Sequence, residues 1–417
     1  MRVPLQRSER HDFPAQRAGR RVRPARFGWP DRPDPGAGPG RGPPLACTSC
    51  DHQAGAVSDL PLRPELVGRS PYGAPQIDVP IRLNTNENPY PPPPEMIADI
   101  AARIAPDLNR YPDRDAVGLR AALAEYLVDQ TGVRLSVDQV WAANGSNEIL
   151  QQILQAFGGP GRTALGFQPG YTMHELISRG TGTAFLGVPR DLHLDADHVV
   201  AAVREHRPDV LFLCSPNNPT GESLPPDVIN AAYQALAETD SGIMVVDEAY
   251  AEFAGVDSAV GLLEGRPRLL VTRTMSKAFA FAGARVGYLA ADPAVVEALL
   301  LVRLPYHLSS LTQAAAQVAV EHSPRLKEQI RHLCRTRDEF VAAVSAKGWQ
   351  CAPSDANFVL VGPFIDPARA WQRLLDQGIL VRDVGLPRWL RVTIGTDEQM
   401  AALVDALGGL KDLRERT

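Results

Sequence analysis

Three short apolar runs, Val210–Cys214, Ile243–Val246 and Leu269–Thr272, each lead into a polar motif. The first meets Ser215-Pro216-Asn217-Asn218-Pro219-Thr220-Gly221, the second Asp247-Glu248-Ala249-Tyr250, the third Thr274-Met275-Ser276-Lys277. Apolar runs of this length read as strands buried on both faces. Helical stretches such as Pro226–Glu238 lie between them. Upstream, Asp113–Gln130 carries Ala116, Leu119, Leu123, Tyr126 and Leu127 at the spacing of one helix face, and Gly132 is a stop signal. Glu148–Phe157 reads as a further helix, opened by Asn144-Gly145-Ser146-Asn147. Buried strands alternating with helices predict an α/β fold with a mostly parallel sheet covered by helices on both faces. Ligands of such sheets bind at the carboxyl ends of the strands, where all three polar motifs stand. Their common placement predicts a single site.

At 417 residues the chain has room for a large α/β domain and a smaller partner. Beyond about residue 300 the texture changes: long helical stretches, Leu311–Val320 and Pro324–Lys347, precede short strands at Phe358–Val361 and Leu390–Ile394. We read residues 96–300 as the large domain and 301–417 as a smaller α+β domain. Residues 58–95, extended and proline-rich, form an arm joining the smaller one. A net charge of −5 argues against nucleic acid or an anionic membrane as the main partner. No apolar run has the length of a bilayer span. Five scattered cysteines make no disulfide framework, which points to a reduced, cytoplasmic protein.

Residues 1–57 differ from the rest. They are rich in Arg, Pro and Gly and lack lysine and apolar periodicity, the composition of a disordered leader. An Arg-rich targeting peptide is one reading, weakened by Glu9, Asp12, Asp31 and Asp34. A metal pair at Cys47 and Cys50 with His52 is another, lacking its second pair. The reading we favour is a non-native leader, with the protein starting at Val57.

The strand-end motifs carry chemistry. Lys277 follows Thr274 and Ser276, precedes a run of small apolar residues, and has Arg285 eight residues on. Apolar surroundings or a nearby cation make a lysine amine nucleophilic toward aldehydes. The hydroxyls and the arginine suit a phosphate. Together they point to a lysine holding a phosphorylated aldehyde, as in enzymes that use pyridoxal 5'-phosphate (PLP). Gly145-Ser146-Asn147 opens a helix whose N–H groups suit a phosphate, although taken alone it reads first as an ordinary cap. Two prolines hold Asn218 in a rigid turn, from which its amide can reach a ring oxygen. Asp247 is a strand-end carboxylate of the kind that keeps a pyridine nitrogen protonated, and Tyr250 can donate to a phenolate oxygen. Taken alone, Asp247 could as well cap a helix. Arg382 and Arg391 lie on strands, where an arginine is unusual unless it meets a planar anion. The histidines show no metal-ligand spacing, and no metal is assigned. No serine has the Gly-x-Ser-x-Gly setting of a hydrolase.

The ordered set Asn-Gly-Ser-Asn-Glu, Ser-Pro-Asn-Asn-Pro-Thr-Gly, Asp-Glu-Ala-Tyr, Thr-Met-Ser-Lys, Ala-Arg-Val-Gly-Tyr and Leu-Arg-Val-Thr-Ile-Gly resembles the class I and II aminotransferases, the fold-type I PLP enzymes. The likeness covers roughly residues 58 to 417. It implies that Lys277 bonds to the cofactor, Asp247 pairs with the pyridine nitrogen, and Asn218 and Tyr250 bind the ring oxygen. Gly145, Ser146, Asn147, Thr274, Ser276 and Arg285 would hold the phosphate, and Tyr171, in Gln168-Pro169-Gly170-Tyr171, would stack on the ring. Arg391 would bind a substrate carboxylate. The family often has an acid where Asn147 stands.

Three further stretches resemble one branch, the histidinol-phosphate aminotransferases: Leu83-Asn84-Thr85-Asn86-Glu87-Asn88-Pro89-Tyr90-Pro91, Arg110-Tyr111-Pro112-Asp113 and Ser354-Asp355-Ala356-Asn357-Phe358. The resemblance implies substrate contacts from Tyr90, Asn218, Asn357 and Arg382, the last toward the phosphate. It also implies a homodimer in which Tyr111 reaches the cofactor phosphate of the neighbouring subunit. The implied reaction passes the amino group of L-histidinol phosphate to 2-oxoglutarate, giving imidazole-acetol phosphate and L-glutamate in histidine biosynthesis. Lys277 would serve as proton carrier and Asp247 and Tyr250 as catalytic partners. An aromatic amino acid aminotransferase shares nearly every motif and is the nearest alternative. A threonine-phosphate decarboxylase is further off. A DNA-binding regulator with an aminotransferase-like domain lacks support, since the leader shows no helix-turn-helix pattern.

Overall fold

The computed structural model describes residues 60–63, 67, 73–104 and 108–415. The expectations for residues 1–57, including the Cys47–Cys50 pair and the start at Val57, lie outside these. Residues 61–417 form one unit, which contains every element and the site.

The strands are β1 (Ile81–Arg82), β2 (Val140–Ala143), β3 (Thr163–Gln168), β4 (Ala184–Pro189), β5 (Val210–Cys214), β6 (Ile243–Asp247), β7 (Leu269–Thr274), β8 (Gly287–Ala291), β9 (Gln350–Cys351), β10 (Phe358–Gly362), β11 (Ile379–Leu380) and β12 (Leu390–Thr393). The α-helices are α1 (Pro94–Arg103), α2 (Val117–Thr131), α3 (Ser146–Phe157), α4 (Thr172–Gly180), α5 (Ala196–His206), α6 (Pro226–Glu238), α7 (Pro293–Val302), α8 (Ser310–Glu321), α9 (Ser323–Ala346), α10 (Pro367–Leu375) and α11 (Asp397–Gly408). Among the described residues no helix is long and apolar enough to cross a membrane.

Seven strands form the main sheet in the order β2-β8-β7-β6-β5-β3-β4. The neighbours from β7 through β4 pair parallel, and β8 runs antiparallel to both β2 and β7. β5 to β8 are nearly all buried residues, because helices cover both faces and each strand must be apolar on both sides. Two core clusters lie on opposite faces of the sheet: alternate residues of β6, Met244 and Val246 against Ile243 and Val245, fall into different clusters. The antiparallel β8 departs from the simple alternating pattern. It follows β7 through a loop that contains Lys277 and Arg285 and no α-helix, so no crossover brings the chain back to run parallel.

Helix α2 starts at Val117, four residues later than the spacing of its apolar residues predicts. Asp113 causes the delay. Its carboxylate accepts the N–H of Val117 at 2.7 Å and that of Asp115 at 3.1 Å, turning the chain before the helix begins. A second sheet, β12-β10-β9, is antiparallel, and β1 pairs parallel with β11. The chain leaving β1 passes between β11 and β12: Leu83 N–H donates to Leu380 O, and Leu83 O accepts from Thr393 N–H. This path carries residues 84–87 across the mouth of the main sheet.

Candidate active site

A cavity enclosing about 900 Å³ of empty space, part of it open to solvent, lies at the carboxyl ends of β5, β6 and β7. Lys277, Asp247, Tyr250, Asn218, Ser146, Asn147, Tyr171, Thr274, Ser276, Arg285, Arg382 and Arg391 all line it. The sheet register explains the convergence. Asp247 ends β6 with Cys214 of β5 on one side and Thr272 of β7 on the other.

Asp247 is 1 % exposed. A buried carboxylate needs hydrogen-bond partners to stay ionised. Thr272 Oγ1 donates to Oδ1 at 3.2 Å, and His174 Nε2 lies 3.0 Å from Oδ2. His174 comes from α4 and is stacked on Phe212 of β5, ring centroids 4.5 Å apart, which fixes its plane. The Cys214 thiol beside them is pushed up by burial and by Asp247, so it stays neutral.

One end of the cavity gathers donors of the kind a phosphate accepts from. Helix α3 begins at Ser146 with no side-chain cap, its N-terminus facing the cavity. Glu148 accepts the backbone N–H of Asn144 at 2.6 Å and so shapes the preceding loop. Arg285 Nη1 donates to Ser276 Oγ at 3.0 Å, and Thr274 Oγ1 donates to the same oxygen at 3.0 Å. A Cβ on Gly145, whose φ is +84°, would stand 2.4 Å from Arg285 Nη2, and one on Gly287 would stand 2.2 Å from Ser146 N. Only glycines let the guanidinium, the hydroxyls and the helix start close on one anion. This donor set fits the phosphate of a phosphorylated aldehyde, and Lys277 and Asp247 line the same cavity.

Lys277 is half-buried, and its Nζ donates to Thr85 O at 3.2 Å. Burial first, then Arg391 and Arg285, lower its pKa from 10.5 to about 8, with Glu87 pulling the other way. Tyr250 is buried, which pushes its phenol up to about 12 despite the opposing influence of Arg391 and Asn86. Asn218 Nδ2 donates to Tyr250 OH at 3.3 Å, and Asn218 Oδ1 accepts from Arg391 Nη1 at 2.7 Å. Tyr171 stands at the residue before α4 and donates to Asn147 Oδ1 at 3.1 Å.

Four expected residues lie outside the cavity wall, Gly145 among them, set just behind Ser146 and against Arg285. Tyr90 is bonded at 3.0 Å through its hydroxyl to His332 Nε2 of α9. Asn357 is buried behind residues 84–87 and donates to Asn86 O at 3.2 Å. Tyr111 is 80 % exposed and stacks on Tyr306, centroids 4.5 Å apart. Asn84, Thr85, Asn86 and Cys214 also line the cavity, and His174 and Thr272 stand behind Asp247. The first three sit in a stretch read only through its resemblance. The pairing of a helix histidine with a strand-end acid has no sequence spacing to reveal it. Among the described residues, no cluster of three or more His, Cys, Asp or Glu could hold a metal ion.

Residues 78–407 match the family described as aminotransferase class I and II. The chain is 56 % identical over 356 residues to a histidinol-phosphate aminotransferase of Mycolicibacterium vanbaalenii, covering 84 % of this chain and 95 % of the relative. It is 58 % identical over 356 residues to one of Frankia casuarinae, covering 84 % and 90 %. The crystal structure of a histidinol-phosphate aminotransferase from Sinorhizobium meliloti in complex with pyridoxal-5'-phosphate superposes with a TM-score of 0.72 at 29 % identity, covering 80 % of this chain and 91 % of the other.

Proposed function

Because the chain belongs to the class I and II aminotransferases and, within them, to the histidinol-phosphate aminotransferases, we propose that it transfers the amino group of L-histidinol phosphate to 2-oxoglutarate in histidine biosynthesis. Its cofactor is PLP. When bound, PLP supplies a carbonyl for amine exchange and a protonated ring that delocalises negative charge from the substrate's α-carbon.

The residues divide that work. Lys277 Nζ holds the cofactor, then takes the α-proton of the donor and gives it back. A pKa near 8 leaves a useful fraction of the amine neutral at working pH. Asp247, held by His174 and Thr272, keeps the proton on the ring nitrogen. Tyr250 and Asn218 bind the ring oxygen, Tyr171 covers the ring face, and Gly145, Ser146, Asn147, Thr274, Ser276 and Arg285 hold the phosphate. Arg382 and Arg391 hold the anionic ends of the two substrates, with Tyr90 and Asn357 supporting the arm that closes over them. We read 96–300 as the cofactor-binding domain, and 301–417 with the arm 58–95 as the smaller one.

We further propose a cytoplasmic homodimer. Exposed large apolar side chains lie on two stretches, Leu108, Tyr111 and Val117 on one and Leu301, Leu304 and Tyr306 on the other. Arg303 joins the stretches, donating to Arg114 O at 3.0 Å and pairing with Asp115 at 2.7 Å. Such a patch favours a second copy and supports the reading that Tyr111 serves a neighbour's site.

The observation that carries the substrate reading is the pair Arg382 and Arg391 in the same wall as Lys277. Two cations suit a phosphate donor and a dicarboxylate acceptor better than an aromatic amino acid. The test is a donor panel on the purified enzyme with 2-oxoglutarate: histidinol phosphate, phenylalanine, tyrosine and O-phosphothreonine. Histidinol phosphate is expected to give the highest kcat/KM. Preference for phenylalanine, or carbon dioxide release from O-phosphothreonine, overturns the reading.

A further inference from the structure

Asn86 is 1 % exposed and has a φ of +53°, a left-handed conformation that asparagine tolerates better than most residues. Its backbone N–H donates to Thr393 Oγ1 at 3.0 Å, and that hydroxyl donates back to Asn86 Oδ1 at 2.8 Å. The closed pair turns the other end of the amide toward the cavity, where Nδ2 donates to Tyr250 OH at 3.0 Å. Asn218 Nδ2 donates to the same oxygen at 3.3 Å. Tyr250 therefore receives two N–H groups from different parts of the chain, the arm and the turn after β5.

A phenol has two acceptor lone pairs and one proton. With both acceptor positions taken by amides, the proton of Tyr250 points to the remaining direction, the cavity it lines. Were the Asn86 amide turned over, its carbonyl oxygen would take that proton instead. We propose that Asn86, oriented by Thr393, is a positioning residue that makes the Tyr250 hydroxyl a donor to the cofactor's ring oxygen. The inference rests on Tyr250 binding that oxygen, as proposed above. The same geometry accounts for the opposing influence of Asn86 on the Tyr250 phenol, since N–H groups aimed at the oxygen favour negative charge there. It also ties the arm to β12 and to Tyr250 at one residue.

The readout is the pH midpoint of the visible absorption of the PLP-loaded enzyme, measured without amino donor. A donor on the ring oxygen favours the form with more negative charge there, so losing it moves the midpoint up. Asn86→Asp offers acceptors that draw the Tyr250 proton away. It is expected to raise the midpoint by about one pH unit, more than Asn86→Ala does. In a Tyr250→Phe background Asn86→Ala, which adds no charge, is expected to shift the midpoint no further. Thr393→Val, which keeps the shape but frees the amide, is expected to move it in the same direction by less, and decides the matter if the Asn86 variants do not fold. An unchanged midpoint in the folded Asn86 or Thr393 variants, or a shift of Asn86→Ala or Thr393→Val that persists with Tyr250→Phe, overturns the orientation. No shift on Tyr250→Phe alone overturns the proposal at its base by removing Tyr250 from the ring oxygen. A mistaken amino donor leaves all these titrations untouched.

Discussion

Arg382 and Arg391 stand opposite each other across an antiparallel bridge, exchanging backbone hydrogen bonds of 3.0 and 2.9 Å. Directly opposed residues project to the same face of a sheet, so one backbone feature sets two guanidinium groups into the cavity wall. They are not equivalent. Arg391 is held by Asn218 Oδ1 at 2.7 Å and Asn84 O at 2.8 Å. The Arg382 guanidinium has no hydrogen-bond or ion-pair partner among the described residues, which leaves its donors for a ligand.

The first prediction follows from that difference. Arg382→Gln should raise KM for histidinol phosphate by roughly tenfold to a hundredfold, the worth of one or two charge-assisted bonds. Phenylalanine turnover should change little. Arg391→Gln should weaken both half-reactions, since it also releases Asn218 and the arm. Steady-state kinetics of each half-reaction check this, and an equal loss with both donors in Arg382→Gln removes the phosphate assignment.

A second prediction concerns the proton chemistry. Lys277→Ala should lose the visible absorption of lysine-bound cofactor and nearly all turnover, with the fold retained by circular dichroism. Asp247→Asn should still bind cofactor but turn over at least about a hundredfold more slowly, because a neutral amide no longer holds the ring proton. His174→Phe should give a smaller loss, about tenfold, by letting the carboxylate turn. Single-turnover rates rank the three, and Asp247→Asn at the wild-type rate would sink the electron-sink role.

The site was legible in the sequence where local chain geometry decides it. Val210–Cys214 and Pro226–Glu238 have the limits that their apolar spacing predicts, and the motifs following β5, β6 and β7 meet because parallel strands bring their ends together. What could not be read depends on packing between distant segments. β8 is apolar like its neighbours, and nothing in its composition says that it runs the other way. His174 reaches Asp247 across 73 positions, and Asn86 reaches Thr393 across 307. Spacing within one element carries no trace of such pairs. Tyr90 could be connected with a substrate only by resemblance; within this chain its hydroxyl turns to His332.

The lowered pKa of Lys277 has a definite sign. Burial, Arg391 and Arg285 disfavour its charged form, and Glu87 favours it. Capture of PLP by cofactor-free enzyme needs the neutral amine, so its rate should rise with pH through a midpoint near 8. Arg391→Gln should move that midpoint up and Glu87→Gln should move it down. Between about pH 8 and 10.5 the unfolded chain holds this proton more tightly than the folded one. The contribution of Lys277 to stability therefore grows as pH rises through that window. Stopped-flow capture rates test the midpoint, and a midpoint at 10.5 would contradict the burial argument.

The last prediction separates a shared site from a self-contained one. If Tyr111 serves the neighbouring subunit, a site draws Lys277 from one chain and Tyr111 from the other. Homodimers of Lys277→Ala are then inactive and those of Tyr111→Ala impaired. In a mixed dimer, one site carries both defects and the other carries neither. Mixing the two variants under conditions that exchange subunits should thus restore activity above that of either alone, approaching about half a wild-type dimer for each hybrid formed. With Tyr111 acting within its own chain, the hybrid has one dead and one impaired site, and mixing restores nothing. The exposure of Tyr111, its stacking on Tyr306 and the apolar side chains around them favour the first outcome. Leu304→Glu, placed in that patch, should shift the enzyme toward monomer in sedimentation velocity. Activity should fall with it, although Leu304 does not line the cavity.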